Sequence, residues 1–185
     1  MARKTPQTKR TPNTLDAISG SDAIEVLRIL ANQDKKLSMK IDVIARELLA
    51  DIDVDEIANC VRAQLDSLSV EDVWDRSGSR RDGYVSTGET AQQMFEDALE
   101  SFHADMLKYQ QLSMHEQAEA TCLGIIKGIY DFHWYSENEF KDWAIDTPAD
   151  FFGEYIREWK KHFQKRSSLA KLNQFLTAYC IEWAE

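Results

Sequence analysis

Residues 86–135 decide the fold, and they read STGETAQQMFEDALESFHADMLKYQQLSMHEQAEATCLGIIKGIYDFHWY. In the first half, apolar side chains recur every three or four residues from Ala91 to Met106. Ser86 and Glu89 form the pattern of a capping box, in which each side chain satisfies a backbone N–H group of the first helical turn. This spacing predicts an amphipathic helix of about 24 residues.

The second half of the stretch predicts another helix of similar length. Ser113 with Glu116 repeats the capping pattern, and apolar side chains continue at helical spacing through residues 120–130. Gly124 and Gly128, four residues apart, indicate that another helix packs closely there. Because the link between the two helices is short, we expect them to pack antiparallel.

The same periodicity extends outward from this stretch in both directions. Further helix-start patterns stand at Asp22 with Glu25, Ser38, Asp53 with Glu56, Ser136 with Glu139, Thr147 with Pro148, and Ser167 or Ser168. No segment alternates with a period of two for long enough to predict a strand. The fold is therefore predicted to be all-α, with antiparallel helical hairpins that form either a bundle or a short irregular helical-repeat array.

The distribution of polar residues predicts the domain organisation. Residues 1–13 carry four cations and no acid, and they lack apolar side chains to bury, so we expect a disordered basic tail. Residues 14–185 are expected to form a single all-helical domain. A polar segment with two glycines at 75–85 leaves open a division into two lobes, 14–75 and 86–185.

Charge and cysteine content restrict the classes of partner. The formal net charge is -10, so the folded part repels a nucleic-acid backbone. Cys60, Cys122 and Cys180 are too far apart for a disulfide framework or a zinc motif, which suits a reducing compartment. No run of 18 apolar residues is present, so no membrane span is expected. We predict a cytoplasmic protein without a membrane partner.

The aromatic residues are concentrated in one part of the chain. Eleven of the nineteen lie between Tyr130 and Phe163, and most recur at core spacing. Consecutive side chains on a helix point in different directions, so some of the aromatic run at 131–135 must face outward. His133, Trp134 and Tyr135 are therefore predicted to form an exposed contact with a partner protein.

Three arginines of the polar segment form the other predicted contact. Arg76, Arg80 and Arg81 lie between Asp75 and Asp82. Guanidinium groups on a loop bind an anion or an acidic protein face. The same arginines can instead pair with carboxylates of their own chain, and the sequence leaves both interpretations open.

Two short patterns contain parts of known catalytic or metal motifs. Glu100 and His103 have the Glu-x-x-His spacing of di-iron bundles, but no second copy of that motif is present. His115 begins a zinc-protease pattern that has Glu119 where the second histidine is required. We therefore predict no catalytic, cofactor-binding or metal-ligating residue, and no cofactor.

Two parts of the chain resemble known protein families. Val73-Trp-Asp-Arg-Ser-Gly78, Gly83-Tyr-Val85 and Glu89-Thr-Ala91 resemble helical regions of uncharacterised prokaryotic proteins that bear a SWIM-type zinc finger. Leu112-Ser-Met-His-Glu-Gln-Ala-Glu-Ala120 is similar to the first helix of a tetratricopeptide-type repeat. The resemblance implies a helical-repeat interaction region without enzymatic activity. The closely spaced Cys and His residues of the zinc finger are absent.

These observations predict a non-enzymatic helical module that binds another protein through a groove or concave surface. Its acidic character favours a basic partner, and self-association is a variant of the same function. One alternative is a metal-binding or enzymatic bundle that uses Glu100, His103, His115 and Glu119. Another is weak nucleic-acid contact through the basic tail and the arginine segment, which the overall negative charge disfavours.

Overall fold

The computed structural model describes residues 14–80 and 83–184, and it is 81% helical. The predicted all-α fold is therefore confirmed. The helices are α1 (Thr14–Ala17), α2 (Gly20–Gln33), α3 (Lys35–Leu49), α4 (Val54–Asp66), α5 (Val70–Arg76), α6 (Thr87–Gln111), α7 (His115–Tyr135), α8 (Thr147–His162) and α9 (Arg166–Tyr179). Two short 3-10 helices span Glu139–Asp142 and Ile181–Trp183. Among the described residues, no helix is both long and apolar enough to cross a membrane.

The chain divides into two compact units, one ending at Asp51 and the other beginning at Ile52. The boundary thus lies before α4, whereas the sequence suggested a division at 75–85. That polar segment connects α5 to α6 within the second unit. The predicted disordered tail, residues 1–13, lies outside the described residues.

The first unit contains α1 and a hairpin made of α2 and α3. Ser19 begins α2 through a capping box with Asp22, three residues before the predicted start. Asp34 both ends α2 and begins α3, because its side chain accepts a hydrogen bond from the backbone N–H of Lys36 at 2.8 Å. Both starts come earlier than predicted, and no residue of either helix is buried.

The core of the second unit is centred on α7. More than half of this helix is buried, at Ala118, Thr121, Cys122, Leu123, Gly124, Ile125, Ile126, Gly128, Ile129, Tyr130 and Phe132. A Cβ atom on Gly124 would lie 2.6 Å from the Ile57 Cβ atom, and one on Gly128 would lie 2.6 Å from the Val61 Cβ atom. The close helix packing predicted at these glycines is confirmed, and α4 is the partner.

Helix α6 begins as predicted, but α7 does not. Ser86 and Glu89 form the expected capping box. Ser113 has a φ angle of 56°, and α7 begins after Met114 without a side-chain cap. Ser113 therefore turns the chain between the antiparallel helices α6 and α7 instead of capping the second one.

A two-stranded antiparallel sheet occupies the polar segment that the sequence analysis described as a loop. Strand β1 (Gly78–Arg80) pairs with β2 (Gly83–Val85), with Ser79 opposite Tyr84. Gly78 and Gly83 have φ angles of 102° and 135°, which other residues adopt only at a cost in strain. Three-residue strands are too short for sequence periodicity to reveal, so this sheet was missed.

Candidate functional site

The predicted contact residues at the end of α7 belong to a larger aromatic cluster. Trp134 and Tyr135 are 45% and 59% exposed, whereas His133 is half-buried. Trp183, in the C-terminal 3-10 helix, lies at the centre of the cluster. Its ring centroid is 4.7 Å from those of His133 and Phe152. The cluster therefore presents exposed aromatic groups that rest on buried ones.

Trp183 reaches this position because α9 ends before it. Trp183 continues the helical spacing of Leu172, Leu176 and Tyr179, but α9 stops at Tyr179 and the chain turns at Cys180. The ring then lies 5.5 Å from that of Tyr130. Trp183 is a member of the surface that the sequence analysis did not identify.

Polar contacts fix the end of α7 against the end of α4. An Arg62 Nη atom donates a hydrogen bond to the Tyr135 carbonyl oxygen at 3.0 Å, and the Ser136 hydroxyl donates to the Asp66 carboxylate. Asn138 donates from Nδ2 to the Leu68 carbonyl oxygen at 2.8 Å. These contacts hold the backbone that carries the aromatic cluster against the C-terminal end of α4.

Lys141 and burial together determine the charge state of His133 in the cluster. Its Nζ atom donates hydrogen bonds to the carbonyl oxygens of His133, at 2.8 Å, and Ser136, at 2.6 Å. Burial, and secondly the positive charge of Lys141, lower the pKa of His133. Both effects favour a neutral imidazole, so the cluster presents an uncharged aromatic face near neutral pH.

A cleft between α6 and α8 is a second candidate binding site. Its volume is about 530 Å³, and it is lined by Gln92, Gln93, Glu96, Asp97, Leu99, Glu100, His103, Phe151, Glu154, Tyr155 and Glu158. Five of the lining residues are carboxylates, and none is a lysine or an arginine. One of the five, Glu158, also contacts Lys161 at 3.3 Å and His162 at 3.0 Å, both on its own helix. Phe151, Tyr155 and His103 add aromatic surface, and the rings of His103 and Tyr155 are 5.9 Å apart.

The negative charge of the cleft is reflected in the properties of Tyr155. Burial raises the pKa of its hydroxyl well above the ordinary value, and the nearby carboxylates of Glu154, Glu158 and Glu96 raise the pKa further. Tyr155 is itself only 5% exposed. Carboxylates around a partly apolar base attract a cation that also has hydrocarbon to bury.

The four residues of the metal-site alternative are not brought together. Glu100 and His103 line the cleft one turn apart on α6. Glu119 is engaged elsewhere, because it accepts hydrogen bonds from the Ser168 hydroxyl and, at 3.1 Å, from Lys171 Nζ. His115 is exposed at the start of α7. Within residues 14–80 and 83–184, no group of three or more His, Cys, Asp or Glu side chains is placed to hold a metal ion.

Two of the three cysteines are packed as core residues. Cys122 is fully buried, and burial raises its pKa far above the ordinary value. Cys180 is also buried, which raises its pKa to about 12. Because the thiolate is the nucleophilic form, neither sulfur is suited to covalent chemistry near neutral pH.

The three predicted arginine contacts occupy different positions in the segment. Arg76 is the last residue of α5 and is exposed. Arg80 ends β1, opposite Gly83. Arg81 lies outside the described residues. The interpretation of these arginines as an anion or partner contact stays a prediction.

The cleft was not predicted from the sequence because its walls are far apart in the chain. Glu100 and Glu154 are more than fifty residues apart, and they reach one cleft because α6 and α8 both pack on α7. A signal was nevertheless present. Acidic residues recur at helical spacing on both segments, at Glu96 and Glu100 and at Glu154 and Glu158.

No family model, curated protein or solved structure matches this chain.

Proposed function

We propose that this chain is a non-enzymatic interaction module that binds a basic segment of another protein in the cleft between α6 and α8. The observation that carries the proposal is the lining of this cleft, in which five carboxylates surround Phe151, Tyr155 and His103 without a lysine or arginine. A segment with arginine or lysine side chains matches this lining. Its charged groups pair with the carboxylates while their hydrocarbon stems cover the aromatic rings.

The size of the cleft supports a peptide-like ligand. A volume of about 530 Å³ holds a few side chains, and the walls are helices of 25 and 16 residues. Sites on helices are held more rigidly than sites on loops, which lowers the entropic cost of binding. We therefore expect recognition of a short segment, anchored by one or two basic residues.

The aromatic cluster at the end of α7 supports the same class of function. Trp134 and Tyr135 keep about half of their surface exposed while Tyr130 and Trp183 pack beneath them. Tryptophan and tyrosine are the side chains that most often dominate binding energy at protein interfaces. We assign to this cluster a second contact with the partner protein.

The proposal is tested by titrating the chain with a fluorescent peptide in which arginine and alanine alternate. In Glu100→Gln/Glu154→Gln, we expect affinity to fall by about tenfold or more, because two charge-assisted contacts are weakened. The matched control is Glu71→Gln/Glu137→Gln, which removes the same charge from exposed positions outside the cleft. Its affinity should change by about twofold or less, since distant surface charges are screened.

Two results would contradict the proposal. Equal losses in the two variants would mean that the peptide responds to net charge alone. Spermine that binds as tightly as the peptide would assign the cleft to a small polycation instead of a protein segment. Metal analysis of the purified chain tests the alternative directly, because iron or zinc lost in His103→Ala would favour the metal-site hypothesis.

A further inference from the structure

The α2–α3 hairpin exposes an apolar surface that it cannot cover by itself. Its nine large exposed apolar side chains are between 36% and 78% exposed: Ile24, Val26, Leu27, Ile29, Leu30, Met39, Val43, Ile44 and Leu48. No residue of either helix is buried. Two helices bury an apolar stripe fully only when another layer packs on them.

The exposed side chains include a short apolar stripe on each helix, made of two residues about one turn apart. At about 100° per residue, Ile24 and Leu27 lie on one side of α2, and Ile44 and Leu48 lie on one side of α3. Ile29 and Met39 lie on the opposite sides of their helices.

The two ends of the hairpin carry opposite net charges. The turn end, residues 28–40, has four cations and one carboxylate: Arg28, Lys35, Lys36, Lys40 and Asp34. The open end, residues 20–27 and 41–49, has four carboxylates and one cation: Asp22, Glu25, Asp42, Glu47 and Arg46. All ten are exposed.

This charge pattern is complementary to itself in one orientation. Two hairpins packed antiparallel place the positive turn end of each copy against the negative open end of the other. Two hairpins packed parallel would place like charges together. The hairpin 20–49 carries no net charge, so pairing of two copies meets no overall repulsion between the hairpins.

We propose that the hairpins of two copies of this chain pack antiparallel and form a four-helix bundle, with the α2 and α3 stripes in its core. Short antiparallel hairpins close into bundles by this packing. The occupant of the exposed apolar surface is thus a second copy of the chain. This dimerisation does not depend on the peptide-binding function of the cleft.

The mass of the full-length chain, measured by light scattering over a dilution series, tests the proposal. We expect twice the chain mass of 21.3 kDa for the wild type and a single mass for Ile44→Glu/Leu48→Glu. The matched control, Val26→Glu/Val43→Glu, adds the same charge at the same open end but about 120° around each helix from its stripe, and it should remain dimeric. All five tryptophans lie in the second unit, so their emission verifies that this unit stays folded in both variants.

Charge exchange tests the antiparallel orientation. Lys36→Glu/Lys40→Glu makes both ends of the hairpin acidic, and Glu25→Lys/Glu47→Lys makes both ends basic. Each variant alone should dimerise more weakly than the wild type, whereas in a parallel dimer each would relieve a contact between like charges and dimerise more tightly. An equal mixture should form a heterodimer. A wild-type monomer at every concentration, a control variant that dissociates like Ile44→Glu/Leu48→Glu, or a mixture that stays monomeric would overturn the proposal.

Discussion

The α2–α3 hairpin and the α4–α7 pair are both built from amphipathic helices, yet only one of them forms a core. In α2 and α3 no residue is buried, whereas α7 buries eleven. The difference lies in the sequence around the helix. Apolar residues lie on several sides of α7 itself, and its two glycines allow α4 to pack closely. Helix α7 therefore contacts α4, α6 and α8 at the same time.

The comparison shows that helical periodicity alone does not predict burial. A single apolar stripe needs a partner, and a two-helix hairpin supplies only one neighbour for each helix. A helix with apolar residues on most sides organises several neighbours, as α7 does. The predictions below contrast substitutions in these two regions.

The largest contrast is expected between Trp159→Ala and Leu48→Ala. Trp159 is fully buried in the second unit, and its Nε1 atom donates a hydrogen bond to the Ser168 carbonyl oxygen at 3.2 Å. Its removal should lower the free energy of unfolding of that unit by about 3–5 kcal/mol. Leu48→Ala, at a position that is 78% exposed in the single chain, should change the free energy of unfolding by less than about 0.5 kcal/mol at dilutions where the chain is monomeric. Urea unfolding followed by circular dichroism, which reports on the helices of both units, measures both effects, and equal effects would remove the distinction between the regions.

The next contrast is between glycines. Gly128→Ala places a Cβ atom 2.8 Å from the Ala58 carbonyl oxygen, so backbone must move, and we expect a loss of about 1–3 kcal/mol. Gly20→Ala at the start of α2 meets nothing within 4 Å, and alanine favours helix, so stability should be unchanged or slightly higher. The same unfolding measurement applies, and a Gly128→Ala chain as stable as the wild type would contradict the close packing of α4 on α7.

A contrast of similar size is expected between two asparagines. Asn138 donates to the carbonyl oxygens of Asp66 and Leu68, at 2.9 and 2.8 Å, and accepts from the Phe140 backbone N–H. Asn138→Ala should cost about 1–3 kcal/mol, because partly buried backbone groups lose their partners. Asn32, which is exposed on α2, should tolerate alanine without loss. A thermal unfolding midpoint that is unchanged in Asn138→Ala would show that the hydrogen bonds from Asn138 to the end of α4 contribute nothing to stability.

The smallest effect concerns pH. All four histidines lie outside the hairpin. A histidine titration by NMR should give His133 a pKa below the ordinary value of 6.5. Because this pKa is lower in the folded chain than in the unfolded one, the stability contributed by neutral His133 is present above pH 6.5 and is lost as the pH falls through the native pKa. Lys141→Gln should raise the pKa of His133, and a wild-type value at or above 6.5 would contradict the geometry described here.

Local sequence signals predicted much of the fold. Ser86 with Glu89 and Asp53 with Glu56 begin helices as expected, because caps are satisfied within one turn. Pro148 likewise stands in the first turn of α8. Ser113 was wrongly predicted to cap α7. A serine followed three residues later by a glutamate also occurs in turns between helices, and the positive φ angle that places Ser113 in a turn is not evident from the sequence.

The candidate site was less predictable, because it depends on contacts between distant segments. Exposure of Trp134 and Tyr135 followed from the consecutive aromatic run. The position of Trp183 did not, since it requires α9 to end at Tyr179. The cleft arises from the packing of α6 and α8, which helical spacing within either segment does not reveal.

Amide hydrogen exchange over a dilution series tests the central claim most directly, namely that the second unit has its own core and the hairpin gains one from a second copy. We predict that α7 amides exchange slowly at every concentration, while protection of α2 and α3 rises as the protein is concentrated. Protection of α2 and α3 that equals that of α7 and does not change on dilution would contradict the account.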